Sequence, residues 1–225
     1  MSTIIEFTQK EKQHLINQWT QGSFVGDGYE STCYQINGYV YKVLNNNSNT
    51  HYDEGIDINE MNTPSFLFPE EIYTSNNEVF AYKTRYIQNE MYKKRIYAGI
   101  FPDFNKIRAA IPAFVKDIFI LSKNNIKTTD ISWNNLLFDG VNIYAIDTLH
   151  YEKEENFSQT NIYKWNISHL QMAMVEFTKV CEETYRKRKI SLSNETKSIL
   201  LGLPYYIGDV SKQIAKENYE EIVQK

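Results

Sequence analysis

The chain has 225 residues, 42% of them hydrophobic, and a formal net charge of −4. That length and apolar content suffice for one sizeable core, and the negative charge gives no general attraction to nucleic acid or to an anionic membrane. The two cysteines, Cys33 and Cys181, stand far apart, which excludes a disulfide framework or cysteine zinc site and points to a reducing compartment. No apolar run approaches the roughly 20 residues that span a bilayer, so no membrane span is expected.

Residues 8–20 are predicted as a short amphipathic helix with Leu15, Ile16 and Trp19 on one side. From Ser23 to Val43 the period changes to a glycine turn followed by strands. There Asn37-Gly38, between apolar-alternating runs, is a two-residue hairpin signal. A polar loop over residues 45–50 precedes a helix over 53–62, whose end Pro64 limits. Two further strands are expected at EEIYT and EVFAYKTRYI, separated by Ser75-Asn76-Asn77. From Phe104 the pattern turns helical, with Ile107, Ile111, Phe114, Val115, Ile118 and Leu121 in one stripe and Pro112 marking a helix start or a kink. The short strands NLLF and NIYAI flank Asp139-Gly140, a second hairpin signal. Leu170, Met174, Phe177 and Cys181 share a helix face, and residues 209–223 read as a charged terminal helix. The expected class is α+β, a single domain over 1–225. Its β-rich part covers about 1–85, its hinge about 85–90, and its α-rich part about 91–225.

Phosphoryl transfer needs a cover over the phosphates, a cation to hold them, oxygen ligands for magnesium and an acceptor that orients the attacking hydroxyl. The chain offers a candidate for each in sequence order. The cover is Gly26-Asp27-Gly28-Tyr29-Glu30-Ser31, where glycine lets a backbone approach phosphate oxygens, although paired glycines are also ordinary turn chemistry. Lys42 follows in the strand YVYKV, where a lysine also commonly snorkels to water. Glu60 is a candidate partner for Lys42, with Asp53 and Glu54 as alternatives. In TTDISWNNLLFDGVNIYAIDT, Asp130 precedes Asn135 by five residues, and a hairpin then ends at Asp147. A hairpin returns the end of its second strand to the start of its first, which lets Asn135 and Asp147 share one metal while Asp130 sits on the loop feeding in.

On these residues the chain resembles the protein kinase superfamily over about residues 22–180. The family's catalytic loop H-R-D-x-x-x-x-N is matched by Thr128-Thr129-Asp130 and Asn135, its D-F-G by Asp147-Thr148-Leu149, and its V-A-I-K strand by Val40-Tyr41-Lys42. The resemblance implies a bilobal fold that binds ATP with Mg2+. Asp130 would be the catalytic base, Asn135 and Asp147 the magnesium ligands, and Lys42 the holder of the α- and β-phosphates. Gly26, Gly28 and Ser31 would form the phosphate cover, Thr84 the gatekeeper, and Arg85 to Ile87 the adenine-contacting hinge. The departures are equally plain: no arginine precedes Asp130, Ser132 replaces the lysine of Ser/Thr kinases, the D-F-G glycine is absent and no A-P-E follows.

These features resemble compact kinase-like bacterial effectors. They imply a monomeric enzyme phosphorylating serine or threonine of a protein substrate, in the cytoplasm or, after secretion, in a host cell. The alternatives are a small-molecule kinase of the aminoglycoside or choline kinase type, which also shows I-D-x as Ile146-Asp147 does, and a pseudokinase binding module.

Overall fold

The computed structural model describes residues 2–28, 30–45, 56 and 61–218. The fold is α+β, with a mixed six-stranded sheet and, among the described residues, five α-helices. The chain divides into two compact units. One comprises the described parts of Met1–Glu60 and Leu67–Tyr86, and the other Met61–Phe66 and Ile87–Lys225. The helix expected over 53–62 lies almost wholly outside the described residues, as do Asp53, Glu54 and Glu60.

The first unit is built on strands β1 (Thr3–Glu6), β2 (Ser23–Asp27), β3 (Ser31–Ile36), β4 (Tyr39–Leu44), β5 (Glu71–Ser75) and β6 (Glu78–Arg85), in the order β1-β5-β6-β4-β3-β2. Only β1 runs parallel to its neighbour. The β3–β4 turn has Asn37 at φ 50° and Gly38 at φ 83°. Two left-handed residues give the turn whose twist matches the flanking strands, as the Asn-Gly pair predicted.

Helix α1 (Gln9–Trp19) is opened by Thr8, whose hydroxyl accepts from the Glu11 amide while the Glu11 carboxylate accepts from the Thr8 amide. It delivers Trp19 to one sheet face, stacked 5.0 Å from Tyr41 and tilted 5.0 Å from Tyr73, with Phe80 and Ala81 completing the cluster. Large rings suit this thin layer because each buries much apolar area for few rotatable bonds.

The second unit packs three long helices together, α3 (Phe104–Lys123), α4 (Gln159–Lys187) and α5 (Asn194–Glu217), beside the short α2 (Lys93–Tyr97). The stripe from Ile107 to Leu121 is buried throughout, as are Leu170, Met174, Phe177 and Cys181. Helix α3 runs unbroken through Pro112. Proline removes the bond to the carbonyl four residues earlier, here that of the exposed Arg108, where water can replace it.

The C-terminal helix corrects the sequence expectation, since it begins at Asn194, well before residue 209. Pro204 within it deprives the Leu200 carbonyl, and the Thr178 hydroxyl of α4 lies 3.3 Å from that oxygen. Gln171 of α4 also donates to the Pro204 carbonyl at 3.1 Å.

Four short strands complete this unit: β7 (Ile126–Lys127), β8 (Leu136–Phe138), β9 (Ile143–Ala145) and β10 (Glu152–Lys153), paired as β7–β10 and β8–β9. The β8–β9 loop has four residues rather than two. The Asp139 carboxylate accepts from the amides of Val141 and Asn142, and Gly140 takes the left-handed position at φ 94°. Residues 61–66 belong here because Ser65 donates its amide to Asp117 at 2.8 Å and Phe66 stacks on Phe114. Burial pushes the Asp117 carboxyl up, opposed by its bonds from Ser65. Among the described residues no helix is long and apolar enough to cross a membrane.

Candidate functional site

In the first unit, register places the candidate phosphate-binding residues in one row. Gly26 pairs with Cys33, Cys33 with Lys42, Lys42 with Tyr82, and Tyr82 with Ile72. Residues directly opposite in a ladder share a face, so Gly26 and Lys42 lie on the same side of the sheet. That is the face away from α1, because Tyr41, the neighbour of Lys42, stacks on Trp19. The Lys42 ammonium sits 5.5 Å from the Tyr82 ring centroid, and the adjacent row holds Gln35, Val40 and Thr84.

Neither Gly26 nor Gly28 has a left-handed φ, and a Cβ built on either meets nothing within 4 Å. The fold itself therefore does not demand glycine at these two positions, in contrast to Gly38. Ser31, buried at the start of β3, closes the turn through its carbonyl, which accepts from the Gly28 amide at 2.8 Å.

Arg85 pairs with Tyr39, and alternation turns its side chain to the α1 face, opposite Lys42. Half-buried Ile87 begins the second unit. Two residues on, the Asn89 carboxamide accepts from the amides of Met91 and Phe138, tying this stretch to β8.

In the second unit the loop and the hairpin bring the other three candidates to one place. The Asn135 amide nitrogen donates to the Asp130 carboxylate at 2.8 Å and to the Asp130 carbonyl at 3.3 Å. The Ile146 amide donates to the Asn135 carbonyl at 2.9 Å, which sets Asp147 one residue from that bond. Asp147 itself is left-handed at φ 62° and ψ 36°, a conformation that costs a non-glycine residue about 1 kcal/mol or more. Both carboxylates act on one buried phenol. Burial, first, and then the charges of Asp130 and Asp147 push the Tyr151 hydroxyl far above its usual range.

The donor chemistry suits a hard cation. With its nitrogen committed to Asp130, Asn135 offers its amide oxygen, and Asp147 adds carboxylate oxygens. Among the described residues no group of three or more His, Cys, Asp or Glu side chains forms an all-protein metal cage. A magnesium ion held here would complete its shell with water and phosphate oxygens.

The loop leading to Asp130 is held by Asn166 and Trp165 of α4, with His169 beside it, and the sequence reading missed all three. Fully buried Asn166 accepts from the Thr128 amide and hydroxyl, both at 2.9 Å, and donates to Ser122 Oγ and the Ile126 carbonyl. Trp165 donates its indole N–H to the Thr128 carbonyl at 3.0 Å. The His169 ring lies beside that carbonyl and is tilted at 54° to the Trp165 ring, with centroids 4.6 Å apart. A polar residue at a core position of a helix, beside Ile162, Tyr163 and Ile167, was the available signal for Asn166. The Thr129 hydroxyl donates to the His150 carbonyl at 2.7 Å.

No protein-family model matches the chain, and no curated protein sequence matches it.

Proposed function

We propose that this chain is a minimal ATP- and magnesium-dependent protein kinase of bilobal type, phosphorylating serine or threonine hydroxyls. The observation that carries the reading is the Asp130–Asn135 hydrogen bond, with Asp147 placed left-handed one residue beyond the bond to Asn135. In this assignment Asp130 accepts the proton of the attacking hydroxyl and orients it. Asn135 fixes the Asp130 carboxylate and, with Asp147, holds magnesium, which neutralises charge on the transferring phosphate. Lys42 draws in the nucleotide's phosphates, and Gly26 and Gly28 let the backbone close over them.

Purified protein incubated with labelled ATP and magnesium, alone and with bacterial or host lysate, tests this. Labelled protein bands are expected. Label appearing only in metabolites would replace the reading with a small-molecule kinase, and nucleotide binding without transfer would replace it with a pseudokinase.

A further inference from the structure

The net charge of −4 conceals a strongly basic surface on the second unit. Two stretches far apart in sequence, residues 92–100 (YKKRIYAGI) and 186–190 (RKRKI), hold seven of the chain's 24 lysines and arginines. The fold brings them together, because α2 packs on α4. Arg188, just past the end of α4, donates through its guanidinium to the Tyr97 carbonyl just past α2, and a Cβ on Gly99 would lie 2.5 Å from Ile190. Lys93, Lys94, Arg186, Lys187, Arg188 and Lys189 are all exposed. Glu182, which pairs with Arg186 one turn earlier, and its neighbour Glu183 are the acidic residues adjoining the patch on α4.

Three exposed apolar side chains lie among these charges: Tyr92, Tyr97 and Ile100, the last 51% exposed. The Lys94 ammonium sits 6.0 Å from the Tyr92 ring and that of Lys93 5.9 Å from the Tyr97 ring.

We infer that this surface attaches the protein to an anionic lipid bilayer. Clustered lysines and arginines are drawn to the negative potential of acidic headgroups. Tyrosine rings favour the headgroup region, and a protruding isoleucine gains by entering the acyl boundary. Ile100 favours a bilayer over nucleic acid, since an aliphatic side chain finds neither a phosphate nor a stacking partner on a polynucleotide. The attachment is peripheral, electrostatic and reversible, and it is independent of the activity proposed above.

The test is flotation of the full chain with vesicles of phosphatidylcholine alone and of phosphatidylcholine containing phosphatidylserine, at low and high salt. Binding is expected only to the serine-lipid vesicles, and it should fall steeply with salt. Each of Lys93→Gln, Lys94→Gln and Lys187→Gln should lower partitioning about fivefold. Ile100→Ser should lower it without changing the salt dependence, and unchanged melting temperatures would show that the variants fold. Absence of binding to the acidic vesicles, or equal binding to both compositions, would overturn the inference. Capture of an oligonucleotide in place of the acidic vesicles would transfer the surface to nucleic acid.

Discussion

Asp147 combines a charged side chain with a left-handed backbone, so its variants separate chemistry from fold. Asn tolerates the same φ and keeps the shape while removing the charge. Asp147→Asn should therefore melt within a degree or two of the parent, lose turnover, and lose the stabilisation that ATP gives in the presence of magnesium. Retained turnover in that variant would remove the metal assignment. Asp130→Asn should cut turnover by about two or more orders of magnitude with nucleotide affinity nearly unchanged, because only proton acceptance and hydroxyl orientation are lost. Equal losses of binding and turnover would make Asp130 structural.

His169 gives a pH-dependent counterpart at the same scale. Burial and, to a lesser degree, Lys127 push its pKa below the ordinary value of 6.5, against the Thr128 carbonyl and Asp130, which raise it. Below about pH 6.5 the unfolded chain then binds more protons at this site than the folded one, so stability falls as pH falls from there. Thermal melts between about pH 7.5 and 5 should decline less steeply in His169→Gln than in the parent. Parallel curves would show that His169 does not contribute.

At the scale of elements, α4 holds the loop leading to Asp130 through Asn166. Asn166→Ala strands the buried Thr128 amide and the Ile126 carbonyl, which should cost about 2–4 kcal/mol by urea denaturation. Turnover should fall as well, because Asn166 alone bonds both the Thr128 amide and the Ile126 carbonyl in the run that leads to Asp130. Trp19→Ala, which empties the centre of the α1 cluster, belongs to the first unit and should cost about 3–5 kcal/mol. Elements whose partners are near in sequence were legible: Asn37-Gly38 announced its hairpin, and the Ile107-to-Leu121 stripe its helix.

Strand β1 was not legible. It is four residues long, largely exposed, and its register to β5 is set by partners 68 positions away, as Thr3 is to Glu71. The start of α5 was hidden by Gly202, Pro204 and Gly208, which read locally as turn residues. Contacts from Thr178 and Gln171 of α4 offset them. The same division holds for the site. Spacing singled out Asp130, Asn135 and Asp147 as candidates, whereas the core position of Asn166 could mark it as buried but not show its partners, and His169 gains its place only once α4 lies against the loop.

For the molecule as a whole, the proposed activity should need no prior phosphorylation. In regulated kinases a phosphate on the segment after the metal-binding aspartate pairs with the arginine before the base, and that pair orders the segment. Thr129 cannot supply such a fork, and here the segment between Asp147 and α4 is already pinned by neutral contacts. Leu149 and Tyr151 are buried in it, and Thr129 holds the His150 carbonyl. Strand β10 pairs with β7, the Glu154 amide donates to the Asn125 carbonyl at 2.8 Å, and Gln159 reaches the Lys123 carbonyl at 2.7 Å. A segment so short loses little entropy in ordering. Its three glutamates, Glu152, Glu154 and Glu155, would repel an added phosphate. Protein made without any other kinase and then treated with phosphatase should keep its full initial rate of transfer from labelled ATP. A large drop after that treatment, restored by incubation with ATP, would reveal an activating phosphosite and show that these contacts do not suffice to order the segment.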